Sequence, residues 1–189
     1  MAENAAKRAR TKDKLKNALI ELCDEKGYYD ITIWEICERA GLYRSTFYRY
    51  YDTKDEVLRE IEHEYIEDTR GLTPTVWSFH ADATPEELAR CRRELEADME
   101  YHRAHKSICK FLLSPAGDIY FYNKMVESIS QTVKKNLQYY GAQNAKTSDY
   151  LLNFFASGFV STIEAWLKKD DCSAGEIADF LLSMIRELQ

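Results

Sequence analysis

Residues 31–58 read ITIWEICERAGLYRSTFYRYYDTKDEVL. Thr32 and Glu35 stand at the spacing of a capping box, in which each satisfies an orphan amide at a helix start. From Ile33 the apolar positions Ile33, Ile36, Cys37 and Ala40 recur at three and four residues. One face of a helix is therefore buried while Glu35, Glu38 and Arg39 stay in water. Gly41 ends that helix, because glycine takes the left-handed backbone of a tight exit without steric cost. A second helix follows over about Tyr43–Tyr51. Two short helices joined by one glycine-centred turn can pack in few ways, and the arrangement predicted is a helix-turn-helix.

In the second helix Phe47 and Tyr51 point to the core, leaving Arg44, Ser45, Thr46, Tyr48, Arg49 and Tyr50 on other faces. Tyrosines and short hydroxyls serve plain solubility poorly. They suit phosphate oxygens and base edges, and an arginine can grip guanine with two parallel hydrogen bonds. Thr53 caps the next helix, with Lys54 in its first turn. A cation there opposes the helix dipole, a conflict that a phosphate bound at the helix start would remove.

Several of these positions stand together at one family's spacing: the Ala40-Gly41 turn, Thr46-Phe47-Tyr48, and Lys54 ahead of Val57-Leu58. Over about 50 residues the segment resembles the amino-terminal domain of the tetracycline-repressor (TetR) family of bacterial transcriptional regulators. The resemblance implies that Arg44, Ser45, Thr46, Tyr48, Arg49 and Tyr50 face DNA, and that Thr32 and Lys54 hold phosphates. Tyr43 stands where a small residue such as serine is common, so it either adds a DNA contact or alters the turn; it is counted with the DNA-facing set. Tyr51 replaces a usual Phe, and Asp52 a frequent Pro or polar residue.

Charge is distributed to match. The first sixteen residues carry six Lys or Arg against Glu3 and Asp13, an arm attracted to a polyanion. Residues 1–59 hold twelve Lys and Arg against eleven Asp and Glu, and residues 60–189 fourteen against twenty-one, within a formal net charge of −6. An acidic chain that is least acidic around its motif uses a local DNA-binding surface rather than a general polycation.

The chain has 189 residues, and its 45% apolar content suffices for a real core. No signal-peptide pattern opens it, and no run approaches the roughly 20 apolar residues of a membrane span, so a cytoplasmic location without a membrane partner is expected. Cys23, Cys37, Cys91, Cys109 and Cys172 are odd in number and widely spaced, as in reduced packing residues.

Helical periodicity continues to the end, so the expected fold is all-α. The division expected is a DNA-binding domain over residues 1–60 and a helical ligand-binding and dimerisation domain over 61–189. Thr84-Pro85-Glu86-Glu87 is a helix start, with Leu88, Cys91, Leu95, Met99 and His102 in one stripe beyond it. A helix over about Ile119–Tyr140 follows a break at Ser114–Asp118. The candidate ligand-binding residues are Trp77, Phe79, Met99, His102, Phe111, Tyr120, Phe121, Met125 and Phe154. They suit a small apolar or aromatic effector. Asp98, His102 and His105 lack a matching ligand cluster, and neither a metal nor a cofactor is expected.

The last two helices, from Ser148 and after Ser173, carry apolar side chains on more than one face. Phe155, Phe159, Thr162, Trp166, Phe180, Leu181, Met184 and Ile185 are the candidate dimer interface, pairing two helices per chain in a four-helix arrangement. Here too FLLSPAGDIYF (111–121) and GFVSTIEAWLKKD (158–170) resemble a carboxy-terminal domain of some TetR-type regulators from Gram-positive bacteria. That resemblance implies a homodimer that often encloses a small-molecule pocket. Reading helices paired about 34 Å apart would recognise a palindrome in double-stranded DNA.

The expected function is a dimeric repressor bound to a palindromic operator and released by a small-molecule effector. A TetR-like coactivator or adaptor acting through protein–protein contacts is the alternative. An enzyme using His102 with Asp98 or Glu94 is disfavoured, since no nucleophile, phosphate loop or paired-ligand motif accompanies them.

Overall fold

The structure, a computed structural model, describes residues 2–72, 83–114, 120–139 and 148–187. Among them every regular element is helical: α1 (Ala2–Glu25), a 3-10 turn (Tyr28–Asp30), α2 (Ile33–Ala40), α3 (Arg44–Phe47), α4 (Lys54–Leu72), α5 (Pro85–Ala104), α6 (Lys106–Leu112), α7 (Phe121–Tyr139), α8 (Ser148–Lys169) and α9 (Ala174–Glu187). The all-α expectation holds. The chain forms two compact units, Met1–Tyr65 with Phe111–Ile119, and Ile66–Lys110 with Tyr120–Gln189.

In the first unit α1 packs along α2, and α2 against α3. Leu15, Leu19, Ile31, Ile36, Phe47 and Val57 are completely or almost completely buried and form its core. The start of α1 differs from the sequence expectation: the basic arm is part of the helix from Ala2 onward. Alanine, lysine and arginine dominate it, and all are good helix formers. Lys12 pairs with Glu60 at 2.5 Å and Lys16 with Glu64 at 2.6 Å, so α4 neutralises part of the positive charge of α1.

The reading helix is also shorter than expected. Rather than running Tyr43–Tyr51, α3 ends at Phe47, and residues 48–50 form a turn. Arg49 N–H donates to the Thr46 carbonyl at 3.2 Å and Tyr50 N–H to that of Phe47 at 2.9 Å. Such three-residue bonds tighten the exit, bringing Tyr51 back beside Phe47 with ring centroids 5.8 Å apart.

In the second unit α5 packs along α9 and α7 along α8. The expected start of α5 is a full capping box: Thr84 Oγ1 accepts from Glu87 N–H while the Glu87 carboxylate accepts from Thr84 N–H at 2.8 Å, with Pro85 in the first turn. Ser173 and Glu176 begin α9 the same way. Arg92 on α5 donates to Asp179 on α9 at 2.6 Å and to Glu96 at 2.7 Å. The α8–α9 connection turns at Asp170, whose φ is 55°.

Candidate nucleic-acid interface

Thr32 caps α2. Its Oγ1 accepts from Glu35 N–H at 3.3 Å and its N–H donates to the Glu35 carboxylate at 2.9 Å. Lys26 holds the same carboxylate at 2.5 Å, and this contact, with the two from Thr32, lowers the Glu35 pKa to about 2. At the far end Gly41 has φ 64° and ψ 38°, and Leu42 N–H returns to the Cys37 carbonyl at 2.8 Å. The chain thus reverses within two residues and places Tyr43 as the residue before α3.

Phe47 is fully buried and Tyr51 nearly so, which fixes the orientation of the short helix. Arg44, Ser45, Tyr48 and Arg49 face solvent, Thr46 and Tyr50 are half-buried, and Tyr43 is 84% exposed. Arg44 Nη2 lies 3.2 Å from the Tyr48 hydroxyl and its guanidinium 5.8 Å from that ring, which aligns the two side chains. Arg8 of α1 reaches the Tyr50 ring at 5.8 Å, bringing a cation of the basic helix beside the exit of α3.

Lys54 has a different setting from the one the sequence suggested. Its ammonium donates to the carbonyls of Tyr28 at 2.8 Å, Tyr29 at 3.1 Å and Ile31 at 2.8 Å. Those contacts occupy its three N–H groups, and the Tyr28 ring lies 4.5 Å away. The conflict between a cation and the start of α4 is thus offset by carbonyl oxygens of the preceding turn. Sequence spacing could not reveal this, because the partners lie more than twenty residues upstream. Tyr29, 74% exposed, and Trp34, 57% exposed, lie outside the set of residues chosen from sequence. A large ring in the first turn of an otherwise amphipathic helix was the available signal.

Among the candidate ligand residues, Trp77 and Phe79 lie outside the described residues. The others divide. Met99, His102, Phe121 and Met125 are buried, whereas Tyr120 is 63% and Phe154 66% exposed. Phe111 belongs to the first unit, its ring 6.2 Å from Tyr28. Only His102 and Met125 of that set border the small cavity of the second unit, with Thr69, Asp98, Ser128, Ile129 and Phe159. Its volume is about 10 Å³, room for about one water molecule, so an aromatic ring does not fit it as it stands.

Asp98 and His102 share that wall. Oδ1 and Nε2 are 3.6 Å apart, too far for a hydrogen bond, and both residues are almost fully buried. Burial raises the Asp98 pKa to about 7, and lowers that of His102 to about 3, with a smaller contribution from His105. His105 itself is exposed, stacked on Tyr101 at 4.1 Å, and does not join the pair. No cluster of three metal-ligating side chains occurs among the described residues. The cysteines are free; burial pushes the Cys23 thiol up to about 12 and that of Cys37 upward, away from reactive thiolate.

Seven candidate dimer residues, Phe155, Phe159, Thr162, Phe180, Leu181, Met184 and Ile185, line one groove of about 140 Å³ between α8 and α9, together with Phe154 and Gly158. Trp166 does not. It is buried, and its indole N–H donates to the Cys172 carbonyl at 2.9 Å, closing the α8–α9 turn.

A short exposed helix carrying arginine, hydroxyl and tyrosine side chains, seated on a small helical unit and followed by a larger all-helical unit, defines a helix-turn-helix transcriptional regulator. Two family models agree: one for bacterial regulatory proteins of the tetR family matches residues 16–61, and one for a transcriptional regulator C-terminal region matches 94–187. The uncharacterized HTH-type transcriptional regulator YdgC of Bacillus subtilis is 22% identical over 135 residues, 70% of this chain and 67% of that protein. A TetR-family transcriptional regulator from Syntrophomonas wolfei superposes with a TM-score of 0.69 at 16% identity, covering 96% of this chain and 95% of that one. The TetR transcriptional regulator from Streptococcus agalactiae 2603V gives 0.65 at 22%, with 98% and 99% covered. The dihydroxyacetone kinase operon activator DhaS gives 0.65 at 12%, with 93% of each chain covered. The chain belongs to the TetR family of DNA-binding transcriptional regulators. Among the described residues no helix is long and apolar enough to cross a membrane.

Proposed function

We propose that this protein is a homodimeric, cytoplasmic repressor that binds a palindromic operator through Tyr43–Tyr50 and is released by a small-molecule effector. The observation that carries this reading is the exposed set Tyr43, Arg44, Ser45, Tyr48 and Arg49 on a helix locked by buried Phe47. Arginine forks match guanine edges, and the hydroxyls and phenols match phosphate oxygens. Thr32 sits at the start of α2, the helix that crosses the backbone in this motif, and Lys54 braces the turn before it. The working division is residues 1–60 for DNA and 61–189 for dimerisation and regulation, with no catalytic role.

The apolar groove between α8 and α9 supports the dimer. Phe154, Phe180 and Met184 are 66%, 48% and 41% exposed along one face, and a second copy is the partner that covers a two-helix face by symmetry. An effector that binds one spacing of the two reading helices better than another shifts operator occupancy.

Selection of bound sequences from random duplex DNA tests the reading. A palindromic consensus with half-sites about one helical turn apart is expected. No enrichment would favour the alternative, a coactivator working through protein contacts, to which the structural likeness to an operon activator lends some support.

A further inference from the structure

Asp98 is almost fully buried, and its Oδ1 has no hydrogen-bond partner among the described residues. A carboxyl so placed loses hydration without replacement, which folded cores avoid unless the group has another use. It faces the cavity bounded by Thr69 of α4, His102 of α5, Met125, Ser128 and Ile129 of α7, and Phe159 of α8. No cation offsets the burial that keeps this carboxyl protonated up to about pH 7. Arg70 of α4 reaches the wall, but its Nε donates to Ser128 Oγ at 3.3 Å, and its guanidinium pairs with Glu67 at 2.6 Å. His102 is neutral there, and the wall residues from α7 and α8 bring no charge.

We propose that this cavity receives the ammonium head of a slender primary amine, with Asp98 accepting its N–H. Size and chemistry both select that group. The cavity holds about one water molecule, close to the bulk of an ammonium. An ammonium brings donors only, the complement of an unpartnered carboxylate oxygen. Met125, Ile129 and Phe159 form an apolar side for a thin alkyl chain, and methionine adapts readily to a new neighbour. An anionic ligand would meet a like charge. A quaternary ammonium has no N–H and is too wide.

Phe159 borders both this cavity and the α8–α9 groove. An occupant that displaces its ring therefore reaches the dimer face, a consequence that rests on the effector-responsive reading, whereas the binding itself does not. The amine also replaces the proton on Asp98, so binding near pH 6 releases a proton.

Calorimetry of the full chain with n-hexylamine hydrochloride and 1-hexanol tests this. Expected are binding of the amine, at least tenfold weaker binding of the alcohol, and at least tenfold loss of amine affinity in Asp98→Asn. Heats that vary with buffer ionisation at pH 6 would report the released proton in the wild type, which keeps the test intact should Asp98→Asn fail to fold. Absence of amine binding, equal binding of the alcohol, or unchanged affinity in a folded Asp98→Asn would overturn the site. Operator release by another compound, with the amine silent, would overturn the amine site and leave the regulator reading standing. Amine binding with unchanged operator affinity would support the site and overturn its link to the dimer face.

Discussion

The Lys54 ammonium donates to the Tyr28 carbonyl at 2.8 Å and lies 4.5 Å from the same residue's ring. With the Tyr29 and Ile31 carbonyls it ties the start of α4 to the turn that precedes α2. Lys54→Met should therefore lower stability by about 1–3 kcal/mol, the usual scale for losing hydrogen bonds to a charged group. Urea titration measures this. A variant as stable as wild type but weaker on DNA would instead assign Lys54 to phosphate.

Arg44 and Arg49 are exposed beside one another on and just after α3. Each Arg→Ala change should weaken operator binding by about 1–3 kcal/mol, roughly ten- to a hundredfold, if the side chain reads a guanine. Melting should barely move. Fluorescence anisotropy at fixed salt, repeated with one half-site base altered, separates base reading from phosphate contact: a phosphate contact loses affinity equally on all sequences.

Gly41 holds φ at 64°, and an added Cβ would meet nothing within 4 Å. Gly41→Ala should thus cost only the left-handed backbone penalty, about 1–2 kcal/mol. Thermal unfolding reads it directly. Gly41→Asn should cost less, since asparagine tolerates that conformation.

Phe180 and Met184 are exposed along the α8–α9 groove. Phe180→Glu or Met184→Glu should convert the dimer to monomer at micromolar concentration, as burial of an unpaired charge at an apolar interface costs several kcal/mol. Light scattering coupled to gel filtration reports mass. The monomer should keep its helical circular dichroism, because neither side chain is in the core.

Asp98 and His102 should make opposing contributions to acid stability. The folded Asp98 keeps its proton up to about pH 7 while an unfolded aspartate loses it near 3.8, so its contribution falls as pH rises between those values. The folded His102 stays neutral down to about pH 3 while the unfolded ring protonates near 6.5, so its contribution grows with pH over that window. In Asp98→Asn stability should rise from pH 4 to 6.5, and in His102→Gln it should fall. Parallel pH profiles for the two variants in denaturant melts would contradict the assignment.

The local features were legible in the sequence because each depends on residues a few positions apart. The Thr32–Glu35 and Thr84–Glu87 capping boxes, the left-handed Gly41, the inward Phe47 and the all-helical periodicity are of this kind. The spacing that marks a TetR-type reading helix is equally local. Trp34 and Tyr29 were missed because exposure of a single aromatic ring has no periodic signature.

What only the tertiary structure decided involves partners far apart in the chain. Lys54 was read as a phosphate ligand because helix dipole and charge were the only terms visible; carbonyls 23 to 26 positions upstream supply the competing one. Nine apolar candidates suggested one pocket, yet Phe111 packs on Tyr28, Phe154 and Tyr120 lie in solvent, and Asp98, absent from that set, faces the cavity. A helical stripe specifies which side chains leave water but not which neighbours receive them. That assignment depends on how α4, α5, α7 and α8 meet around Asp98, and no spacing along one helix encodes it.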